Sequence, residues 1–171
     1  FTLEQLPRPE ETLFAAPFQS MKILRSLGLP EFALKLVHPA ETWTFRDIEI
    51  TGTFAEPTDN SDLNHMGFSL LFRSGPHLYI SGDTAASERS GGGMEGQPDV
   101  MCVCINGGYH NLSHWEAAEL CSVIRPKTAV PCHFDMMPHN LQPPHMFRKS
   151  LWEKTKGVVV YTRMDYARSC L

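Results

Sequence analysis

The stretch Leu78-Tyr79-Ile80-Ser81-Gly82-Asp83-Thr84 is a short apolar run that ends in a turn with a glycine and a carboxylate. A second apolar run, Thr128-Ala129-Val130-Pro131-Cys132-His133, ends in an imidazole. A rigid sheet presents ligands at its edge when its strands deliver polar side chains into turns of this kind. Because carboxylates and imidazoles both bind divalent metal ions, Asp83 and His133 are candidate metal ligands. Asp135, two residues further along, would orient that imidazole or simply lie on the surface.

The rest of the chain has the apolar spacing of alternating strands and helices, after hairpins in the first part. In the first part, the pattern predicts a helix over 17–27, a hairpin over 41–54 and a second hairpin that joins 67–72 to 78–81. In the second part, it predicts strands over 100–105, 128–133 and 157–161. A helix that starts with a capping box at Ser113 and Glu116 follows the first of these strands, and a helix from Pro143 follows the second. Within 171 residues, this order indicates a single α/β (α+β) domain with a mixed sheet flanked by helices.

Charge and composition limit the partners that the chain can have. The formal net charge is −4 and the lysines and arginines are scattered, so no basic face for nucleic acid is expected. No apolar run approaches the roughly 20 residues that a membrane helix needs. We therefore expect a soluble, cytoplasmic protein that acts on a small molecule and binds neither nucleic acid nor a membrane. A homo-oligomer is the expected assembly.

The chain has five cysteines, which is an odd number. Cys102 and Cys104 alternate along an apolar strand and would point to the same side of it. Reduced core thiols are favoured for this pair over a disulfide or a metal site.

The segment 85–98 follows Asp83 closely, has few apolar residues and contains Ser90-Gly91-Gly92-Gly93. Glycine and serine make a chain flexible. The segment is therefore predicted to be a mobile loop and a candidate lid over the site.

The motifs occur in an order that resembles the metallo-β-lactamase superfamily, and within it the branch that contains L-ascorbate-6-phosphate lactonase. The resemblance extends from about Trp43 to Met137 and rests on the segments 79–84, Asp99-Val100-Met101, Ile105-Asn106-Gly107-Gly108-Tyr109, Asn111-Leu112, Glu116-Ala117-Ala118-Glu119-Leu120, Pro126-Lys127 and Pro131-Cys132-His133-Phe134. It implies a metallo-β-lactamase-like αββα sandwich, of which this chain forms the C-terminal portion.

The resemblance also implies roles for individual residues. Asp83 matches the carboxylate that binds or bridges the metal ions and so takes part in catalysis, and His133 matches the terminal metal-binding histidine. One or two divalent ions, zinc or manganese, would hold a hydroxide for attack on a lactone, an ester or a phosphoester. Sugar lactones are the first class to test. Asn106, Tyr109 and His110 lie in a loop that borders the active site in this branch, where they contact substrate or close a strand–helix junction.

Two departures from the superfamily pattern concern metal ligands. The motif His-x-His-x-Asp-His, expected upstream of a segment such as Phe1–Leu27, does not occur in these 171 residues. We expect it on an N-terminal fragment or a separate chain. In Ala55-Glu56-Pro57-Thr58-Asp59, proline or threonine stands where the branch has a middle histidine. Asp59 or His65 could replace that metal ligand. If the site is instead poor in metal, the alternative function is that of a non-catalytic binding or scaffold subunit.

Overall fold

The computed structural model describes residues 11–56, 65–135 and 141–160 and confirms a mixed α/β fold. The elements are β1 (Phe14–Ala16), α1 (Phe18–Ser26), β2 (Leu34–Leu36), β3 (Thr42–Phe45), β4 (Ile48–Phe54), β5 (Met66–Phe72), β6 (His77–Ile80), β7 (Val100–Cys104), α2 (His114–Ile124), β8 (Thr128–Cys132), α3 (Pro144–Lys154) and β9 (Val159–Val160). Each predicted helix and strand has a counterpart, and Tyr161, the predicted end of the last strand, lies outside the described residues. None of the described helices is long and apolar enough to cross a membrane.

Seven strands form one sheet in the order β3-β4-β5-β6-β7-β8-β9. The pairs from β3 to β6 are antiparallel, with tight turns joining β3 to β4 and β5 to β6. The pairs from β6 to β9 are parallel, because a loop, α2 and α3 carry the chain back between successive strands. The carboxyl ends of β6, β7 and β8 therefore lie along one edge, which is where open α/β sheets usually bind their ligands.

The main core lies between one face of the sheet and the helices α2 and α3. The register places Thr51, Ser69, Tyr79, Met101 and Ala129 side by side across five strands, and all five are buried. Tyr79 is 1% exposed, and burial raises its pKa to about 12. This row of the sheet is therefore well shielded from water.

The opposite face of the sheet is apolar but only partly covered. The register places Trp43, Ile50, Leu70, Leu78 and Val100 side by side across five strands, and each keeps some solvent exposure. The neighbouring row on this face is not buried either, and it consists of Phe68, Ile80, Cys102 and Val130. Extended apolar faces of this kind usually pack against another layer of protein. We call these two rows the open face.

A smaller layer consists of α1 and the parallel two-stranded sheet β1–β2. The helical spacing of Phe18, Met21, Leu24 and Leu27 predicts one buried apolar side, but only Met21 and Leu24 are buried. Phe18 and Leu27 are 46% and 45% exposed. Phe18 is the first residue of the helix and Leu27 is its C-cap, so both lie at its ends.

The segment 85–98 makes backbone hydrogen bonds to the end of β4 and the residues that follow it, and its role as a mobile lid stays a prediction. Gly91 donates its backbone N–H to the carbonyl of Phe54 (2.8 Å), and Phe54 donates to the carbonyl of Gly92 (2.9 Å). Ala85 donates to the carbonyl of Glu56 (3.1 Å). Composition suggested flexibility, but here the glycines let the segment lie close against the end of β4.

The four cysteines in the described ranges, Cys102, Cys104, Cys121 and Cys132, are free thiols, consistent with the prediction of reduced core thiols. Burial raises the pKa of Cys102 and Cys104, and it raises the pKa of Cys132 to about 12. These thiols are therefore protonated near neutral pH and are poor nucleophiles.

Candidate functional site

Asp83 and His133 lie at the same edge of the sheet. Asp83 follows β6 and His133 follows β8, and β7 lies between these strands. His133 Nδ1 is 3.0 Å from Asp83 Oδ1. The side chain of Asp83 is 51% exposed and that of His133 is 29% exposed, so the pair can be reached from solvent. The fold thus brings together the two polar residues at the ends of the two apolar runs.

The turn before Asp83 has a backbone that glycine adopts most easily. Gly82 has φ +62°, and a Cβ on this residue would lie 2.8 Å from the carbonyl oxygen of Met66. The hydroxyl of Ser81 donates to the carbonyl of Gly82 (2.7 Å) and accepts from the backbone N–H of Cys104 (3.2 Å). The position of the Asp83 carboxylate therefore depends on a tightly packed turn.

Gly82→Ala is expected to lower the free energy of unfolding by at least about 1 kcal/mol more than Gly28→Ala. Both glycines have positive φ, but no atom lies within 4 Å of the position of a Cβ on Gly28. A left-handed alanine is strained at either position, so the difference measures the collision with Met66. Urea denaturation gives both values. Equal losses of unfolding free energy in the two variants would mean that the turn at Gly82 relaxes to accommodate the Cβ and does not hold Asp83 in place.

His133 has a left-handed backbone, with φ +53°. This conformation is uncommon for a residue with a Cβ, and it is found at functional sites as well as in turns. It turns the chain directly after β8, where the imidazole contacts Asp83. Asp135 is exposed, and the carboxylate in contact with the imidazole is that of Asp83. The surface alternative is therefore favoured for Asp135.

Thr84, next to Asp83, is buried and joins three segments. Its Oγ1 accepts from the backbone N–H of Glu56 (2.9 Å) and donates to the carbonyl of Ala85 (3.0 Å). Its carbonyl accepts from the N–H of Leu112 (2.9 Å). The turn that carries Asp83 is thus attached both to the end of β4 and to the loop before α2.

The donor atoms at this edge fit part of a divalent metal site, because a carboxylate oxygen and an imidazole nitrogen converge there. In the described parts of the chain, no three side chains of histidine, cysteine, aspartate or glutamate form a cluster that could hold a metal ion. Nδ1 of His65 is buried without a hydrogen-bond partner there, but His65 joins no such cluster. Its assignment as a ligand stays a prediction, and Asp59 lies outside the described residues.

The loop between β7 and α2 borders an open cavity of about 580 Å³. Ala85, two residues after Asp83, lines this cavity together with Tyr109 and His110, which are both exposed. Asn106 is 1% exposed and does not line the cavity; its Nδ2 donates to the carbonyl of Gly108 at 3.4 Å. The geometry therefore favours Tyr109 and His110 over Asn106 as residues that contact substrate.

The sequence places Asn111 after a Gly-Gly-Tyr turn at a strand end but does not identify it as a substrate contact, and the structure shows that it lines the same cavity. Tyr109 and His110, directly before it, have left-handed φ values of +53° and +64°. Neither is glycine, so the Gly107-Gly108 turn signal just before them does not reveal this left-handed backbone. It places Asn111 in the cavity wall with only 5% exposure.

No family model matches the chain. A UPF0173 metal-dependent hydrolase of Anaeromyxobacter sp. (strain K) is 36% identical over 95 residues, which are 54% of this chain and 34% of that relative. The chain thus spans about a third of the length of this relative.

Two solved structures are similar in fold. Igni18, a metallo hydrolase from the archaeon Ignicoccus hospitalis, has a TM-score of 0.73 at 18% sequence identity. The match covers 88% of this chain and 65% of the Igni18 chain. A proposed zinc-dependent hydrolase of the metallo-β-lactamase superfamily from Thermotoga maritima has a TM-score of 0.55 at 23% sequence identity. The match covers 74% of this chain and 71% of the Thermotoga chain. Neither these proteins nor the sequence relative is described as a lactonase, so that branch stays a prediction. The chain is thus related in sequence to the UPF0173 metal-dependent hydrolases and has the metallo-β-lactamase fold.

Proposed function

We propose that Asp83 and His133 are two ligands of a divalent metal ion in a metal-dependent hydrolase. The 3.0 Å approach of His133 Nδ1 to Asp83 Oδ1 at the edge of the sheet carries this proposal. The relationship to metal-dependent hydrolases supports it. The match spans about a third of the length of that relative, so the remaining ligands and the complete activity are sought in the full-length protein.

A bound divalent ion lowers the pKa of water, which makes a nucleophile available near neutral pH. The residues of this chain have complementary tasks. Asp83 supplies a negative charge that offsets part of the charge of the ion, and His133 supplies an imidazole nitrogen, which binds metal in its neutral form. Thr84 holds the turn of Asp83 in place through its three hydrogen bonds. Tyr109 and His110 line the cavity in which a substrate would lie.

The proposal also specifies a substrate class and a metal. A sugar lactone is the first candidate, followed by other esters and phosphoesters, because the sequence resembles the branch that contains L-ascorbate-6-phosphate lactonase. The open cavity with polar side chains is compatible with such substrates. Zinc or manganese suits a carboxylate and an imidazole. A site with oxygen donors and few histidines favours manganese slightly.

The test uses the full-length protein in the presence and absence of a chelator. We expect hydrolysis of glucono-δ-lactone above the spontaneous rate, its loss with chelator, and its return when zinc or manganese is added. Mass spectrometry should find about one or more tightly bound divalent ions per protein. A lower metal content together with no chelator-sensitive hydrolysis would favour a metal-poor binding or scaffold subunit of the same fold.

We also propose that the open face packs against a further part of the full-length protein, such as an N-terminal segment or chain with the motif His-x-His-x-Asp-His. The two apolar rows across the sheet support this arrangement, because apolar residues on a sheet face are stabilised when another layer excludes water. Igni18 supports it as well, since this chain covers 65% of that structure.

In the full-length protein, Leu70→Ala is expected to lower the free energy of unfolding by about 2 kcal/mol, because a second layer would bury this leucine completely. Ile23, which is 60% exposed on α1, provides the control. Ile23→Ala is expected to change the same quantity by less than about 0.5 kcal/mol. Denaturation in urea measures both variants. If Leu70→Ala is as mild as the control, no layer covers the open face.

A further inference from the structure

The cavity of about 580 Å³ has an acceptor atom without a partner in its wall. Asn111 lines the cavity and is 5% exposed, and its Oδ1 is buried with no hydrogen-bond partner in the described part of the chain. Buried polar atoms are nearly always paired, and an exception calls for an explanation such as a bound water or ligand. A missing partner here points to a group that the cavity binds.

Asn111 is held close to the turn of Asp83. Its backbone N–H donates to the carbonyl of Gly108 (3.0 Å), and the next residue, Leu112, donates to the carbonyl of Thr84 (2.9 Å). The backbone next to Asn111 is therefore hydrogen-bonded to the residue that follows the candidate metal ligand Asp83. A group bound by Asn111 would lie in the cavity that Ala85, two residues after Asp83, also lines.

The charged groups around the cavity indicate which ligands it suits. Glu116 also lines it, and its Oε2 already accepts the N–H (2.9 Å) and the hydroxyl (2.7 Å) of Ser113. No lysine or arginine occurs among the described residues that line the cavity. Away from the candidate metal ligands, a phosphate group would thus meet the carboxylate of Glu116 and no cationic side chain of the described lining, whereas a neutral hydroxyl group would meet acceptors.

We propose that Asn111 is a specificity-determining residue that accepts a hydrogen bond from a hydroxyl group of the substrate, and that the substrate is an uncharged polyhydroxylated lactone. The terminal torsion of asparagine is soft, so the side-chain amide can rotate to present Oδ1 to a bound group. This inference rests on the proposed hydrolase function, because it names the substrate class of the same site. A site built around a buried acceptor rejects analogues that lack the donor.

The kinetic test compares two lactones on the full-length, metal-loaded protein: glucono-δ-lactone and δ-valerolactone, which has no hydroxyl groups. Asn111→Leu is expected to reduce kcat/KM for the hydroxylated lactone by about 10- to 100-fold and that for δ-valerolactone by less than about 3-fold. Asn111→Asp keeps acceptor oxygens at this position and should retain most of the preference. Equal losses for both lactones would indicate a structural role and overturn the assignment. Faster turnover of 6-phosphoglucono-δ-lactone than of glucono-δ-lactone would overturn the uncharged class.

Binding of 1,5-anhydroglucitol separates this inference from the hydrolase proposal, because the compound has ring hydroxyls but no carbonyl group. Saturation-transfer NMR should detect it with the wild type and with Asn111→Asp, and about 10-fold weaker binding with Asn111→Leu. This dependence without hydrolysis of any lactone, ester or phosphoester would support the role of Asn111 and contradict the hydrolase. Hydrolysis that is indifferent to Asn111 would do the reverse. No binding of the polyol to the wild type would overturn the role of Asn111.

Discussion

Asp83→Asn in the full-length protein is expected to reduce kcat/KM for lactone hydrolysis by at least about 100-fold and to release most of the bound metal. The amide has the size of the carboxylate but no negative charge, so it offsets none of the charge of the ion. Asp83 is half-exposed and contacts His133 through its side chain, so the fold should survive the change. Steady-state kinetics and metal analysis by mass spectrometry measure the two effects.

Asp135→Asn is the matched control, because it makes the same chemical change two residues after His133. Asp135 is exposed. We expect its metal content and kcat/KM to stay within about threefold of the wild type, as for a surface substitution. Retention of metal by Asp83→Asn, or an equal loss in Asp135→Asn, would contradict the assignment of Asp83 as the ligand.

Phe147→Ala is expected to lower the free energy of unfolding by about 3–5 kcal/mol. Phe147 is 0% exposed and belongs to the core cluster in which α3 meets α2 and the sheet. The loss combines the transfer of the ring to water with the cavity that remains. Since a domain is typically stable by only about 5–15 kcal/mol, this variant should melt at a much lower temperature.

Trp152→Ala provides the comparison on the same helix, because Trp152 is 72% exposed. A larger ring is removed, yet the expected change is below about 1 kcal/mol, since little of that ring is withdrawn from water. Urea denaturation at constant m-value compares the two variants. A greater loss for Trp152→Ala than for Phe147→Ala would mean that α3 packs through its other side.

The sequence allowed the prediction of elements whose signals are local. The hairpin over 41–54 follows from alternation and a short turn, and it is present as β3 and β4. The capping box of Ser113 and Glu116 makes both of its hydrogen bonds at the start of α2. In each case the atoms that decide the structure are only a few residues apart.

Burial on the sheet could not be predicted from the same pattern. Thr51 and Ser69 are buried, whereas Ile50 and Leu70 on the opposite face keep some exposure. Alternation shows that two faces differ, but the identity of the covered face depends on helices distant in sequence. The strands β1 and β2, with three residues each, are too short to show any period.

The residues of the candidate site at the ends of strands could be predicted from the sequence, but those in the wall of the cavity could not. Asp83 and His133 end apolar runs, and parallel strands deliver their ends to one edge. Asn111 reaches the cavity through two left-handed residues that are not glycine, and Thr84 makes its contacts with segments far along the chain. These features depend on tertiary structure, which residue spacing alone does not determine.

Anomalous diffraction from crystals of the full-length protein grown with zinc or manganese tests the central claim most directly. The account predicts a peak within about 2.0–2.3 Å of a carboxylate oxygen of Asp83 and of an imidazole nitrogen of His133. A peak bound by other residues, or no peak at this edge of the sheet in metal-loaded crystals, would contradict it.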